Sequence, residues 1–123
     1  MSEQMIKICE LAEQVELALF TSEIKRATSN NTKSAVIQKN LTSKYAHTVK
    51  SQAIAGQLSP SIESQTDELA QSYELLQSSG REPAFKCVSS YKACKSEANS
   101  IEDKVLCGLA LAICFAKEVV PLA

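Results

Sequence analysis

Apolar side chains recur every three or four positions through the first eighty residues, and this period predicts amphipathic helices. A first helix is expected over residues 3–27, ending at the polar run TSNNT. A second is expected over about 33–57, and a third after Ser59 as N-cap and Pro60 as first helical residue. The predicted buried stripes are Met5, Ile8, Ala12, Val15 and Leu19, widened by Ile6, Cys9, Leu17, Phe20 and Ile24; then Val36, Ile37, Leu41, Tyr45, Val49 and Ala53; and then Ile62, Thr66, Leu69, Tyr73 and Leu76.

The polar segment SSGREP, residues 78–83, interrupts this pattern, and two further helices are predicted beyond it. Pro83 opens the fourth helix, and Asn99 closes it. Ser100 is the expected N-cap of the fifth helix, which runs to about Val119. The chain is therefore predicted to be all-α, with four or five helices.

Composition agrees with a helical protein and narrows the classes of partner. The 123 residues include only three Gly and three Pro, and 45% are hydrophobic. A net charge of −1 offers no basic stripe, so nucleic acid is not an expected partner. The N-terminal sequence has no classical secretory signal, which predicts synthesis in the cytoplasm and, for a secreted product, release after processing.

The cysteines divide the chain into two predicted units. Residues 1–80 contain one cysteine and residues 81–123 contain four of the five. Gly80 is the expected C-terminal cap at the boundary. We therefore expect a helical leader, carrier or bundle segment over 1–80 and a cysteine-linked hairpin over 81–123.

The spacing of these four cysteines predicts how they pair. Cys87 and Cys94 are seven residues apart, as are Cys107 and Cys114. Seven helical residues make almost two turns, so each pair shares one face at roughly 10 Å separation. That is too far for a disulfide within one helix, which needs Cα atoms about 5.5 Å apart. An antiparallel hairpin instead places Cys94 beside Cys107 and Cys87 beside Cys114, giving two nested disulfides.

Two other states of these cysteines remain open at this point. Reduced thiols could pack as small apolar side chains in a cytosolic bundle, since cysteine is often buried. A four-thiolate metal site is disfavoured because structural zinc uses cysteines two to four residues apart. No metal or cofactor is therefore expected, and Cys9 is predicted to be a buried core residue of the first helix.

Residues 82–116, about a third of the chain, resemble the glycocins. The resemblance lies in the two six-residue cysteine spacings, the leading EPAFKC and the polar loop between the helices. Glycocins are ribosomally made antibacterial peptides, folded as a helical hairpin with nested disulfides and a sugar on a loop Ser or Cys. The resemblance implies disulfides at the four cysteines and modification of Ser96 or Ser100.

The sequence offers no constellation typical of an enzyme. His47 is the only histidine and has polar neighbours, which indicates a solvated helix position. The solvent-exposed face of the first helix is the expected place for Glu10, Glu13 and Glu16. There is no glycine-rich phosphate loop, so we expect a non-enzymatic protein.

Two hypotheses about function follow. The first is a precursor or secreted, antibacterial or toxin-like effector, matured by a processing protease or exporter, whose hairpin binds a membrane surface or a protein receptor. Leu106, Leu109 and Ile113 would form its apolar contact face.

The second hypothesis is a cytosolic helical-bundle interaction module, such as an adaptor or immunity-type protein, with reduced cysteines. In that case residues of the first two helices cover the face, namely Leu17, Phe20 and Leu41.

Overall fold

A computed structural model of the chain describes the backbone of residues 2–21, 30–77 and 82–119 and, outside 30–35, 76–77, 82–85 and 118–119, their side chains. Within these ranges there is no strand, and the prediction of an all-α protein is confirmed. The last helix continues into a π-helical turn, Phe115–Val119. The helices are α1 (Glu3–Thr21), α2 (Asn30–Ile54), α3 (Ser61–Gln77), α4 (Glu82–Glu97) and α5 (Ile101–Cys114).

The helix ends show local signals acting as expected. Ser100 is the N-cap of α5, and its hydroxyl accepts the Asp103 amide at 3.1 Å. Helix α2 ends at Ile54, and Gly56 follows it with a φ of 86° and donates its amide to the Ala53 carbonyl. The start of α3 differs by one position from the prediction, because Pro60 stands just before the first helical residue. The predicted cap at Gly80 lies outside the described residues.

The hairpin formed by α4 and α5 is packed into the bundle. Helix α1 lies along α2 and α5, while α3 contacts α2, α4 and α5. Leu109, at the centre of α5, is 0% exposed. The hairpin and the first three helices therefore share one hydrophobic core, and the predicted division at residue 80 falls in the undescribed segment 78–81.

One glycine allows α5 to approach the other helices closely. The hydroxyl groups of Tyr45 on α2 and Thr66 on α3 are hydrogen bonded at 2.8 Å. A Cβ atom at Gly108 would lie 2.5 Å from the Tyr45 hydroxyl oxygen and 2.6 Å from Thr66 Cγ2. Helix α5 can cross this polar pair because residue 108 has no side chain.

The predicted buried stripe of α2 is confirmed in the second half of the helix, where Tyr45, Val49 and Ala53 are buried, but is wrong in the first half. Val36, Ile37 and Leu41 were expected in the core, but 41%, 58% and 43% of their surfaces are exposed. In this first half Gln38 and Thr42 are buried instead, so the side of the helix that faces the core is polar there.

Hydrogen bonds explain why polar residues occupy this face. The Thr42 hydroxyl is bonded both to the Gln38 carbonyl and to the hydroxyl of Tyr73 on α3. The Gln38 side-chain amide donates to the Ser72 carbonyl at 3.3 Å. Tyr73 in turn stacks on Phe115, with ring centroids 4.4 Å apart. The Thr42 hydroxyl and the Gln38 side-chain nitrogen therefore have partners that offset the cost of their burial, whereas Gln38 Oε1 is buried without a hydrogen-bond partner among the described residues.

The widened stripe predicted for α1 is also wrong in part. Ile6, Leu17 and Phe20 point to solvent, and Phe20 is 87% exposed. The core side of α1 needs only the narrower stripe that begins at Met5. Ile24 and Leu76 lie outside the described side chains.

The close approach at Gly108 predicts that Gly108→Ala destabilises the bundle. Alanine favours a helix by about 1 kcal/mol over glycine, but its methyl group must displace the Tyr45–Thr66 pair. We expect a net loss of about 1–3 kcal/mol in the free energy of unfolding, measured by urea titration followed by circular dichroism.

Ala110→Gly, at an exposed position of the same helix, is the control. It is expected to cost about 1 kcal/mol through helix propensity alone. A Gly108→Ala protein as stable as the parent would show that α5 has room at this position.

Candidate functional site: the disulfide hairpin

Two nested disulfides join α4 to α5. Cys87 is bonded to Cys114 and Cys94 to Cys107, with Cα–Cα distances of 5.7 and 5.8 Å. Both distances lie in the usual range for a disulfide. The predicted pairing and antiparallel register are confirmed.

The two bridges differ in their exposure to solvent. Cys87 and Cys107 are 1% and 3% exposed, whereas Cys114 is half-buried and Cys94 is exposed. Each bridge therefore joins one cysteine in the core to one nearer the surface. Cys9 is the free cysteine. It was predicted to be a buried core residue, but it is half-buried.

The two candidate modification sites lie at the closed end of the hairpin. Ser96 and Ser100 are both exposed. The Ser96 hydroxyl donates to the Ala93 carbonyl at 2.7 Å, and the Ser100 hydroxyl oxygen accepts from the Asp103 amide. A group on Ser100 would therefore bear on the cap of α5, whereas one on Ser96 would extend from the last turn of α4.

The proposed apolar contact face is largely turned inward. Leu109 is fully buried, and Leu106 and Ile113 are half-buried against the core. The residues expected to cover it, Leu17, Phe20 and Leu41, are exposed, although Leu17 lines a surface groove together with Ile113. In this conformation Leu109 is closed to a partner, whereas Leu106 and Ile113 keep part of their surface open.

Asp67 on α3 is the counterion of the hairpin. Its Oδ1 accepts hydrogen bonds from Lys95 Nζ at 2.9 Å and from the Tyr91 hydroxyl at 3.2 Å. Its Oδ2 accepts from Lys104 Nζ at 3.0 Å. Since Tyr91 and Lys95 belong to α4 and Lys104 to α5, one carboxylate connects three helices. We call these four residues the Asp67 cluster.

The electrostatics of the Asp67 cluster favour an ionised carboxylate. Burial of Asp67 raises its pKa, but hydrogen bonds and attraction from Lys95 and Lys104 outweigh this and hold it below the usual value. The pKa of Tyr91 is raised by burial first and by the Asp67 charge second. No local sequence signal identifies the partners of Asp67, because Lys95 and Lys104 belong to other helices.

The other buried tyrosines serve as neutral hydrogen-bonding groups. Burial raises the pKa of Tyr45 and of Tyr73 well above the usual value, and the hydrogen bonds to Thr66 and Thr42 only partly offset it. Neither phenol can act as a proton donor or acceptor by titration near neutral pH.

The described surface also includes a groove between two helices. A groove of about 450 Å³ between α2 and α3 is lined by Leu41, Tyr45 and Leu69 among polar neighbours. Among the described residues, no three His, Cys, Asp or Glu side chains are placed to hold a metal ion, and His47 is exposed. No helix in the described part of the chain is both long enough and apolar enough to cross a bilayer.

In comparisons with known proteins, no family model, no curated protein and no solved structure matches this chain. The nested cysteine pairing therefore stands on the geometry of the chain itself. The glycocin-like resemblance remains one of spacing and hairpin shape.

Removing either disulfide is expected to lower the free energy of unfolding, and the loss should be larger for the disulfide that closes the longer loop. The sequence separations are 27 for Cys87–Cys114 and 13 for Cys94–Cys107. Chain-entropy loss predicts about 3.5 kcal/mol for the double alanine variant at Cys87 and Cys114, and about 3 kcal/mol at Cys94 and Cys107. Guanidinium unfolding without reductant measures both, and Cys9→Ala is the control. Pair variants no less stable than Cys9→Ala would argue against stabilisation by the bridges.

The Asp67 cluster predicts a specific pH dependence. Asp67→Asn should lower the free energy of unfolding at pH 7 by about 1–2 kcal/mol, because both lysines lose their counterion. A depressed folded-state pKa contributes stability that is fully present above the unfolded value of about 4 and is lost as pH falls through the folded value. The gap between parent and variant should therefore close below about pH 4.

Urea titrations at several pH values measure this gap. Glu68→Gln, at an exposed neighbouring position on α3, is the matched control and should change stability by less than about 0.5 kcal/mol. A gap between parent and Asp67→Asn that is equally large at pH 3 and pH 7 would contradict the assignment.

Proposed function

We propose that the intact five-helix bundle is a non-enzymatic binding protein that acts in an oxidising compartment. The observation that carries this is a doubly disulfide-bonded hairpin whose α5 lies at the centre of the core. Disulfides of this kind persist in secreted and periplasmic settings and are rare in the cytosol. An exporter is accordingly one partner of this proposal.

Binding rather than catalysis is supported by where the chemically capable groups lie. Asp67, Lys95 and Lys104 satisfy one another, and the buried tyrosines are hydrogen bonded within the core. The half-buried Cys9 thiol and the exposed His47 lie on different helices. An acting surface is therefore expected on the outside of the helices, where protein or membrane partners can reach it.

A second candidate is the hairpin released as a glycocin-like antibacterial peptide. It is favoured by one observation: both disulfides lie within residues 82–116, so the hairpin would keep its staples after cleavage near residue 80. Cleavage would uncover Leu109, which could then contact a membrane or receptor together with Leu106 and Ile113. A processing protease and a sugar on Ser96 or Ser100 belong to this candidate.

The intact mass of the natively produced protein, alkylated before and after reduction, distinguishes these functions. For the proposed function we expect a full-length chain with one alkylated thiol, Cys9, before reduction and five after it. A chain truncated near residue 80, with sugar mass added, would instead establish the released peptide.

Five alkylated thiols without reduction would overturn both candidates. That result would leave the cytosolic interaction module with reduced cysteines. Alkylation in denaturant is required, because Cys87 and Cys107 are buried in the folded chain.

A further inference from the structure

The two disulfides differ in how closely the fold surrounds them. We call Cys94–Cys107 the inner bridge and Cys87–Cys114 the outer bridge. In the outer bridge, Cys87 is 1% exposed and Cys114 packs against the hydrophobic core. In the inner bridge, Cys107 belongs to the core, whereas Cys94 is exposed and neither belongs to the core nor packs against it. Only the inner bridge therefore has a cysteine outside the core.

The end of α4 that carries Cys94 lies on the surface. The last six residues of the helix, Lys92–Glu97, are all exposed. Earlier in the helix, Cys87, Val88 and Tyr91 are only 1%, 2% and 3% exposed. The packing of α4 in the core therefore stops at Tyr91, roughly one and a half turns before the helix ends.

Side chains of this exposed end make three described links to other helices. One is the inner bridge. The others are the ion pairs Lys92–Glu74 at 2.8 Å and Lys95–Asp67 at 2.9 Å, whose lysine side chains are 65% and 44% exposed. Ion pairs of such exposed side chains contribute little to stability. The inner bridge is therefore the main side-chain attachment of the end of α4.

Exposure governs how fast a disulfide exchanges with a thiol. A thiolate must approach one of the two sulfur atoms, so the rate depends on access to the bond. Disulfides that a fold leaves exposed are the labile and regulatory ones, whereas buried structural disulfides resist reduction. By this criterion the inner bridge is the more reducible of the two.

We propose that the inner bridge is a reversible thiol switch, which a dithiol reductant opens in the folded protein while the outer bridge stays closed. The reductant is a dithiol of the class that exchanges disulfides in oxidising compartments. The inference rests on the proposed function, because it describes how the oxidised bundle is regulated.

The exchange takes place in two steps. A thiolate of the reductant bonds to Cys94 Sγ, the disulfide bond breaks, and its electron pair leaves on Cys107 Sγ, which takes a proton from water. The second thiolate of the reductant then attacks the reductant's own sulfur in this mixed disulfide, and Cys94 Sγ leaves as a thiolate that is protonated in turn. The reductant ends as a disulfide, and the protein has gained two electrons and two protons.

Opening the inner bridge loosens one end of the hairpin and leaves its register intact. The outer bridge lies seven residues away on each helix and still joins α4 to α5. The loosened end includes Lys95, which lines a surface groove together with Glu63, Asn99 and Lys104. The shape of this groove therefore differs between the oxidised and the reduced bundle.

A time course of reduction tests the proposal on the full-length, disulfide-bonded protein. The probe is dithiothreitol at low concentration under native conditions. Samples are transferred into denaturant with N-ethylmaleimide, and the labelled cysteines are identified by peptide mass mapping. We expect Cys94 and Cys107 to be labelled at least about tenfold faster than Cys87 and Cys114, while circular dichroism keeps its helical signal.

The same reaction in guanidinium is the control. Without the fold neither bridge is shielded, so the two should open at rates within about threefold of each other. A preference that disappears on unfolding assigns the selectivity to the structure and not to the local sequence.

The double alanine variant at Cys94 and Cys107 represents the open inner bridge and allows the loosening to be measured. Backbone order parameters from NMR relaxation should fall over residues 92–97 from about 0.85 to below about 0.6. The double alanine variant at Cys87 and Cys114 is the matched control, and in it the order parameters of residues 92–97 should stay near those of the parent.

Two results would overturn the proposal. One is a folded protein in which the inner bridge opens no faster than the outer bridge, and the other is an end of α4 that stays rigid without the inner bridge. The proposed function fails separately, if the natively produced protein has five free thiols. A native protein with one free thiol and two equally resistant bridges would keep its binding role and lose only this switch.

Discussion

The register between α4 and α5 is the constraint on which the rest of the bundle depends. Because the two sulfur–sulfur bonds lie seven residues apart on each helix, the hairpin cannot slide or rotate, and its side chains reach α3 as a fixed set. Tyr91 and Lys95 from one helix and Lys104 from the other converge on a single carboxylate. The same register sets Gly108 against the Tyr45–Thr66 pair and Phe115 against Tyr73. The Asp67 cluster and the close packing of α5 against α2 and α3 are therefore both consequences of the disulfide register.

How far the sequence alone could predict this arrangement depends on the range of each interaction. The disulfide register could be predicted because it follows from helix geometry and four residue numbers, and the Ser100 cap because its partner is three residues away. The buried face of the first half of α2 could not be predicted, since Gln38 and Thr42 face the core where they are hydrogen bonded to α3. The role of Asp67 as a counterion could not be predicted either, because Lys95 and Lys104 lie 28 and 37 residues further along the chain. Ile37 and Leu41, expected in the core, are exposed for the same reason.

The two candidate functions make opposite demands on one interface. A binding protein that acts as a folded bundle needs α5 to stay between α1 and α3, where Leu109 and Phe115 are dry. A released hairpin must give up that burial together with the Asp67 cluster, and its own two-helix core is too small to replace them without the disulfides. In the described structure α5 is buried within the bundle. In a released hairpin, the nested disulfides would have to offset the loss of that burial.

The different spans of the two bridges bear on the order in which the chain oxidises. Cys94 and Cys107 are separated by 13 positions and the outer pair by 27, so the shorter loop closes with the smaller entropic loss. Once it has closed, Cys87 and Cys114 are each seven residues from a fixed point, and helix formation alone brings them together. The fifth thiol, Cys9, lies on the neighbouring α1 and is half-buried against the core. Docking of α1 before oxidation would bring a competing partner near the hairpin, whereas closure of the inner loop first leaves the outer cysteines committed to each other. Nesting thus favours the native pairing, because closure of the bond near the turn holds Cys87 and Cys114 opposite each other.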